Sequence, residues 1–385
     1  MSILTSSFVR TLGIGAALTL AFTLPTAAQS TGRPDQIFVQ DRGGEIKNQA
    51  GVVVDDGVNE LVFQQRGRDK QSDAARVDRI VFGDVPVAYR DAQGYANRGD
   101  FENAVRKFRV AADDSDARGP VRAKARFLAA TMLMKAAALD PVSTPFTEVV
   151  SEFDTFLSDH GTSRLVPQAR RMQARARWIT GDAGAAAELS KAVYEALDSD
   201  GKSAYTIELC YESGLEAASA FLAAGNSADA GSIYSAMQTS LNAAMAEAEP
   251  DDRAIFDLLK QRAILGEGWQ LIADGKHGQA VSFFNGKLRG DEPAVLRFNA
   301  RLGLAEGLLG QAKYREAQLE FAAVSGLDHT SRDNVARALL GLARCAQAIP
   351  DTDSSDRIGD WLEAIQTQYG DTPAAASARQ LAASL

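Results

Sequence analysis

The chain has 385 residues and a hydrophobic content of 45%, enough to bury a large core, which excludes disorder along its whole length. Its formal net charge of −9 argues against a general nucleic-acid binder, because contacts to phosphates need a net basic face. Cys210 and Cys345 are its two cysteines, and they lie far apart in helical contexts rich in alanine and leucine. We therefore expect two buried free thiols rather than a disulfide.

Residues 1–28 differ in character from the rest of the chain. Arg10 is followed by an apolar run from Leu12 to Leu24, and small residues near Ala28 suit cleavage by a signal peptidase. A membrane anchor is the alternative, but the run is shorter than the roughly 20 residues that a transmembrane helix needs. The segment predicts a cleaved signal peptide and a mature chain that is periplasmic or extracellular, with no stable membrane span.

Between residues 34 and 85 the pattern has the two-residue period of β-strands. Four short β-branched and aromatic runs stand between turn sequences: Ile37–Val39, Gly51–Val54, Leu61–Phe63 and Val77–Phe82. Four or five strands in so short a segment predict a twisted sheet or a small barrel. This size and strand spacing resemble SH3-like and Sm-like barrels, and we refer to residues 34–85 as the β module.

From Pro86 onward the helical period replaces the strand period, and one sequence pattern recurs. A large apolar residue precedes a short turn, which is followed by an alanine and then by an aromatic residue, as in Tyr95, Gly99, Ala104 and Phe108. The alanine recurs as Ala186, Ala230, Ala280 and Ala317, and the residue after it as Ser190, Tyr234, Phe284 and Phe321. Such a pattern is typical of helical hairpins, and several in series predict a solenoid.

The remaining helices complete this array. One further hairpin is expected between Ala104 and Ala186, and a last hairpin near the C-terminus. Their predicted helices are Val121–Leu139, Pro145–Asp159, Asn334–Ile349 and Asp356–Tyr369. Residues 371–385 predict a short capping helix that begins after Thr372, because the last repeat of a solenoid has one face in water.

These repeats resemble the tetratricopeptide repeat (TPR) family over residues 86–370. The first helix of each hairpin carries a small residue followed by a large one, which lets the two helix axes approach. The small residues are Ala92, Ala174, Ala218, Gly268 and Ala305, and the large positions are Tyr95, Arg177, Phe221, Leu271 and Leu308. The family's tryptophan and terminal proline are mostly absent. The resemblance implies a mostly α fold, an α-solenoid of TPR-like hairpins behind the β module, and a surface that binds partners rather than an enzyme.

No motif for catalysis, a cofactor or a metal stands out. The chain contains no G-x-S-x-G, phosphate-loop or H-E-x-x-H sequence. His160, His277 and His329 are far apart, and none has a second histidine or a cysteine at ligand spacing. The segment Asp351–Asp356 is similar to a calcium loop but lacks the glycine and the glutamate that such a loop needs. We therefore expect no catalytic residue, no cofactor and no metal ligand.

One cluster of residues indicates an interaction surface. Arg170, Arg171, Arg175 and Arg177 share one predicted helix, 166–180, in an otherwise acidic chain. In the TPR family the first helices line a concave groove, and the resemblance places the partner-binding candidates there: Arg171, Arg175, Trp178, Arg262 and Trp269. Arginine and tryptophan are enriched in interface hot spots. The alternative is that the arginines pair with acidic loops such as Asp198–Asp200 and that the tryptophans belong to the core.

These observations lead to two functional hypotheses. The first is a non-enzymatic scaffold or adaptor of the bacterial cell envelope that binds a protein or peptide through stacked helix pairs. If Arg171, Arg175 and Trp178 project into the groove, two cations beside an aromatic ring suit an acidic peptide or a polyanionic envelope polymer. A nucleic acid is not expected, because the chain as a whole is acidic. The second is a glycan-binding or enzyme-accessory protein of the envelope, whose specificity lies in the β module.

Overall fold

A computed structural model of the chain describes residues 33–41, 44–248, 250–288, 290, 292–349 and 354–385. The predicted signal peptide, residues 1–28, lies outside these residues, as does the first half of the calcium-like segment. Pro34–Leu385 forms one compact unit. Within the described part, five strands come first and fifteen α-helices follow, so the fold is mostly α.

The β module is a five-stranded antiparallel sheet with the strand order β4-β3-β2-β1-β5. The strands are β1 (Asp35–Gln40), β2 (Ile46–Asp56), β3 (Glu60–Gln65), β4 (Arg68–Asp73) and β5 (Val77–Val81). The long strand β2 pairs with β1 through its first half and with β3 through its second half. A turn of 3-10 helix, Ala74–Arg76, precedes β5. Ile37, Val53, Leu61 and Phe63 form the core of this sheet.

Strand β4 is the element that the sequence pattern did not predict. Its sequence, RDKQSD, contains no apolar residue, so nothing in it alternates. It lies at the edge of the sheet and pairs with β3 alone, in a register from Glu60↔Asp73 to Gln65↔Arg68. Charged side chains suit such an edge, because they discourage pairing with other chains. The hairpin turn before it uses positive φ angles at Arg66 (53°) and Gly67 (74°).

The helices follow one another to the C-terminus, and each packs against the next. They are α1 (Val87–Asn97), α2 (Phe101–Asp113), α3 (Gly119–Leu139), α4 (Phe146–Asp159), α5 (Val166–Ile179), α6 (Ala183–Glu195), α7 (Ile207–Ala223), α8 (Ser227–Glu247), α9 (Pro250–Ala273), α10 (His277–Lys287), α11 (Ala294–Gly310), α12 (Tyr314–Leu327), α13 (Arg332–Ala348), α14 (Ser354–Gln368) and α15 (Pro373–Ser384). From α5 to α15 each odd-numbered helix also contacts the next odd-numbered one. The odd-numbered helices therefore form one continuous layer, as the first helices of stacked hairpins do.

The predicted hairpin register is confirmed by burial. The alanines at the predicted helix crossings, Ala104, Ala186, Ala230, Ala280 and Ala317, are at most 1% exposed. The four predicted helices of the two further hairpins correspond to α3, α4, α13 and α14, and the capping helix to α15. The small residues allow the two helices of each hairpin to approach closely.

Five hairpin turns share one backbone conformation. Gly99, Gly181, Gly225 and Gly275 have positive φ, and Ala312 takes the same position in the fifth turn with φ 59°. Glycine reaches this conformation without strain, whereas alanine does not. In the first three turns the next residue caps the second helix through its side chain: Asp100, Asp182 and Asn226 accept from backbone amides. In the last two the cap residue is lysine, Lys276 or Lys313, and no side-chain cap forms.

Aromatic residues join successive hairpins by packing onto glycines. Phe284 lies on Gly303 and Phe321 lies on Gly341, so that a Cβ atom at either glycine would overlap the ring. Tyr194 and Tyr234 meet Gly214 and Gly266 in the same way. The aromatic of one second helix thus packs into a gap on the next first helix, which fixes the spacing of the array.

The β module is joined to the helices by two buried ion pairs, which we call the module joint. Asp35 is fully buried, and the two terminal nitrogens of Arg118 donate to its carboxylate oxygens at 2.7 Å each. The backbone amides of Val53 and Gly83 donate to the same carboxylate. Asp56 accepts from Arg164 Nε at 2.8 Å. Four hydrogen-bond donors therefore compensate the negative charge of Asp35, although its side chain is buried from solvent.

Cys210 and Cys345 are buried free thiols, as predicted. They lie on α7 and α13. Burial raises the pKa of both thiols to about 12, since a thiolate is poorly solvated among apolar side chains. Both thiols are therefore unreactive at neutral pH.

Candidate partner-binding face

Five odd-numbered helices, α5, α7, α9, α11 and α13, place polar side chains on the layer that they share. We define the inner face by these residues: Arg171, Arg175, Glu212, Glu216, Arg262, Trp269, Asn299, Glu306, Asp333 and Arg337. Each helix contributes residues spaced by about one or two turns, so they project from one side of it. Four of the five partner-binding candidates belong to this face.

Arg171 and Arg262 are both paired with glutamates of α7. Arg171 donates from Nε and a terminal nitrogen to the two carboxylate oxygens of Glu216, at 2.9 and 2.8 Å. Arg262 donates from its two terminal nitrogens to the two carboxylate oxygens of Glu212. Burial by itself would lower the pKa of Arg171, but Glu216 more than offsets this and holds the pKa above its usual value. The two pairs connect α5, α7 and α9 across the inner face.

Arg175 binds groups that are far away in the sequence. Its terminal nitrogens donate to Asp333 at 2.6 and 3.1 Å, and its Nε donates to the backbone carbonyl of Asp371 at 2.8 Å. Burial opposes the charge of this guanidinium, yet Asp333 keeps the pKa of Arg175 above its usual value. Arg175 is therefore a permanent cation held by the C-terminal part of the chain.

The two tryptophans have different surroundings. Trp269 Nε1 donates to Asn299 Oδ1 at 3.0 Å, and the Arg337 guanidinium lies 4.2 Å from the centre of the Trp269 ring. Arg337 also pairs with Glu306 at 3.5 Å. Trp178 is half-buried and packs against the hydrophobic core that includes Ala187 and Tyr211. Trp269 also packs against a core, with its ring centre 5.5 Å from that of Phe284, so both tryptophans support the core and Trp269 in addition has a cation over its ring.

The inner face is electrically balanced. Arg171, Arg175, Arg262 and Arg337 are matched by Glu212, Glu216, Glu306 and Asp333, and every one of these eight groups is in an ion pair. Their side chains are 16 to 42% exposed, so water and salt weaken these pairs without abolishing them. An acidic partner must therefore compete with carboxylates that the chain itself supplies.

The sequence pattern located the arginines but not their partners. The acidic loop suggested as an alternative partner, Asp198–Asp200, does not pair with Arg171 or Arg175, because Asp198 instead accepts backbone amides of its own loop. Glu212 and Glu216 have the same four-residue spacing on α7 that Arg171 and Arg175 have on α5. This spacing could have predicted that the two helices pair through these side chains. Asp333 gave no such signal. Whether the five candidates bind a partner stays a prediction.

The β module has a cavity of its own. A cavity of about 370 Å³ opens among strands β1 to β4 and the 3-10 turn. It is lined mainly by polar residues: Val39, Gln40, Asp41, Lys47, Gln49, Glu60, Gln71, Ser72, Asp73 and Arg76. In the described part of the chain, the side chains of Gln49, Glu60, Gln71 and Asp73 form no hydrogen bond or ion pair. This volume is in the range of small-molecule sites.

Within the described ranges, no three histidine, cysteine, aspartate or glutamate side chains are grouped closely enough to hold a metal ion. None of the described helices combines the length and the hydropathy that crossing a membrane requires.

Comparison with known proteins gives a likeness of fold. No family model matches the chain, and no curated protein matches it. Among solved structures, it is similar to a tetratricopeptide repeat protein from Parabacteroides merdae, with 12% sequence identity and a TM-score of 0.45. The similarity covers 71% of this chain and 97% of that one. At this TM-score the likeness defines no family, so the functional proposal depends on the contacts within the chain.

Proposed function

We propose that this protein is a non-enzymatic scaffold or adaptor of the bacterial cell envelope, which binds a protein or peptide partner through a TPR-like solenoid. The observation that supports this most is the shared layer of odd-numbered helices, which brings Arg171, Arg175, Arg262 and Trp269 to one face. Residues on that face come from separate hairpins, as in an extended surface for a polypeptide.

The proposed location follows from the N-terminal segment. Residues 1–28 carry the charge, apolar run and small residues of a secretory signal, so the mature protein is periplasmic or extracellular. Two buried free thiols are compatible with such a compartment, because unreactive cysteines do not form disulfides there.

The proposed partner is an acidic polypeptide segment. Arginines on the inner face favour carboxylates, since their planar guanidinium groups bind two oxygens at once. Trp269, with Arg337 over its ring, adds a combined aromatic and cationic contact for the partner. Neither a nucleic acid nor a cofactor is part of this proposal.

Charge reversal on the inner face tests the proposal. The probe is a fluorescein-labelled oligoglutamate peptide, and binding to the mature chain is followed by fluorescence anisotropy at low salt. Arg171→Glu with Arg175→Glu should weaken binding at least tenfold, because each cation becomes an anion. The matched control reverses two exposed cations elsewhere, Arg90→Glu with Arg315→Glu, and should bind as the wild type does. If both double variants lost the same affinity for the peptide, binding would depend only on the total charge of the protein, and a specific site on the inner face would be excluded.

The cavity of the β module favours a second candidate function, glycan binding. Its unpaired amide and carboxylate side chains could accept and donate hydrogen bonds to sugar hydroxyls. The strand order, the long strand β2 and the 3-10 turn before β5 support an SH3-like assignment for the module. Titration calorimetry with soluble envelope oligosaccharides tests this function. Gln49→Ala with Gln71→Ala should abolish any heat of binding, and retained binding would exclude the cavity.

A further inference from the structure

The C-terminal helices of the array return to two of its early helices. Helix α3 contacts α14, and α5 contacts α15. Arg175 on α5 reaches Asp333 and the carbonyl of Asp371, and Arg379 on α15 donates to the Ile179 carbonyl at 3.4 Å. Because α6 to α12 connect these helices through successive contacts, the array from α5 to α15 closes into a ring. We call the contact between α5 and the C-terminal segment, α13 to α15, the ring joint.

The apolar cores on the two sides of the ring joint are separate. Apolar residues of α15, Ala374, Ala375 and Ala378, belong to a cluster formed by α13, α14 and α15 alone. Ile179 of α5 belongs to the cluster formed by α1 to α5. Among the described residues, the buried apolar side chains of α15 thus pack with α13 and α14, and the contacts identified across the ring joint are mainly polar.

The groups that bind Arg175 resemble a bound peptide. The Arg175 guanidinium can only donate hydrogen bonds. It donates two to the carboxylate of Asp333 and one to the backbone carbonyl of Asp371. An acidic peptide offers the same two kinds of acceptor. Asp333 is 42% exposed and Arg175 is 27% exposed, so both remain within reach of a competing ligand in solvent.

We propose that the C-terminal segment is an internal ligand of Arg175, and that an acidic peptide partner displaces Asp333 and opens the ring. This proposal rests on the proposed function of the inner face and adds its regulation. The closed ring is the resting state, in which the chain's own carboxylate holds the place that the partner's carboxylate takes. Binding and opening are coupled, since the partner gains only the difference between its contacts and those that it replaces.

Two substitutions at the ring joint test this coupling, because they have the same effect on closure and opposite effects on binding. Asp333→Asn removes the competing charge, and Arg175→Gln removes the cation that both ligands need. Arg344→Gln is the matched control, because Arg344 is an exposed arginine of α13 that takes no part in the hydrogen bonds of the ring joint. Hydrogen exchange of residues 373–384 reports closure, and anisotropy of the labelled oligoglutamate peptide reports binding.

We expect faster exchange of residues 373–384 in both Asp333→Asn and Arg175→Gln, with wild-type exchange in Arg344→Gln. Exchange across Ile358–Ile365 in α14 should stay unchanged in all three, which separates opening from unfolding of the segment. Asp333→Asn should bind the peptide about two- to tenfold more tightly than the wild type, and Arg175→Gln more weakly.

Two results would overturn the proposal, and they can be told apart. Wild-type exchange of residues 373–384 in both joint variants would show that Arg175 and Asp333 do not hold the ring closed, even if the peptide still binds. If exchange became faster but no variant bound the peptide, the proposed function of the inner face would be wrong. Competition between Asp333 and a peptide for Arg175 would then be excluded as well. Binding by Asp333→Asn that is no tighter than that of the wild type would also exclude competition.

Discussion

The module joint and the ring joint use the same chemistry in different surroundings. In the module joint Asp35 is fully buried and has four donors, two of them from Arg118. In the ring joint Asp333 is 42% exposed, and its partner Arg175 divides its donors between this carboxylate and a carbonyl. A buried group cannot pair with water instead, so the Asp35–Arg118 contact stays formed in the folded chain. The partly exposed Asp333–Arg175 contact can exchange with a ligand.

The largest effect is expected at the module joint. Arg118→Met leaves the buried carboxylate of Asp35 without its cation, and breaking a buried pair in this way costs about 3–5 kcal/mol. Urea unfolding of the full chain measures the change. Asp35→Asn with Arg118→Met removes both charges and should recover part of the loss. If Arg118→Met unfolds like the wild type, the β module is not locked by this pair.

A smaller loss of stability is expected where aromatic rings pack on glycine. This contact involves no charges, so its loss can be compared with the losses at the two ion-paired joints. Gly303→Ala places a methyl group against the Phe284 ring, and overpacking of this kind costs about 1–3 kcal/mol. Gly326→Ala on α12 is the control, because nothing lies near the added atom. That variant should gain up to about 1 kcal/mol from helix propensity. Similar melting temperatures for both would contradict the proposed packing.

The hairpin caps are expected to have an effect near 1 kcal/mol. Asp182→Ala removes the carboxylate that accepts the Ala185 amide, which should cost about 1 kcal/mol. Lys313→Asp introduces the same kind of cap at α12, where none exists, and should stabilise by a comparable amount. Thermal unfolding of the two variants is the measurement. A stabilising Asp182→Ala change would mean that the turn, not the cap, determines where these helices begin.

The smallest effect is expected at the ring joint. A double-mutant cycle of Arg175→Gln and Asp333→Asn should give a coupling free energy of about 0–1 kcal/mol, since both groups are partly exposed. Raising the salt concentration should reduce this coupling by screening. The corresponding cycle at Arg118 and Asp35 should be larger and less sensitive to salt. Equal couplings at the two joints would remove the distinction between a lock and an exchangeable contact.

Much of the helical array could be predicted because its signals are local. The alternation of small and aromatic residues identified the crossings at Ala104 and Ala317, and burial confirms them. The same rules failed for β4, whose charged sequence is explained by its position at the sheet edge. An edge strand takes its conformation from the partner strand β3, and its own side chains carry little of that information.

The amino-acid sequence by itself determined the hairpin register, the mostly α fold and the buried thiols, because each depends on side-chain period and turn chemistry over a few residues. Only the tertiary structure decided which carboxylates hold the arginines. Arg175 and Asp333 are separated by 158 positions, and they meet because each hairpin stacks on the next until α15 returns to α5. That return depends on every contact between hairpins, including the rings packed on Gly303 and Gly341, and no local pattern encodes it.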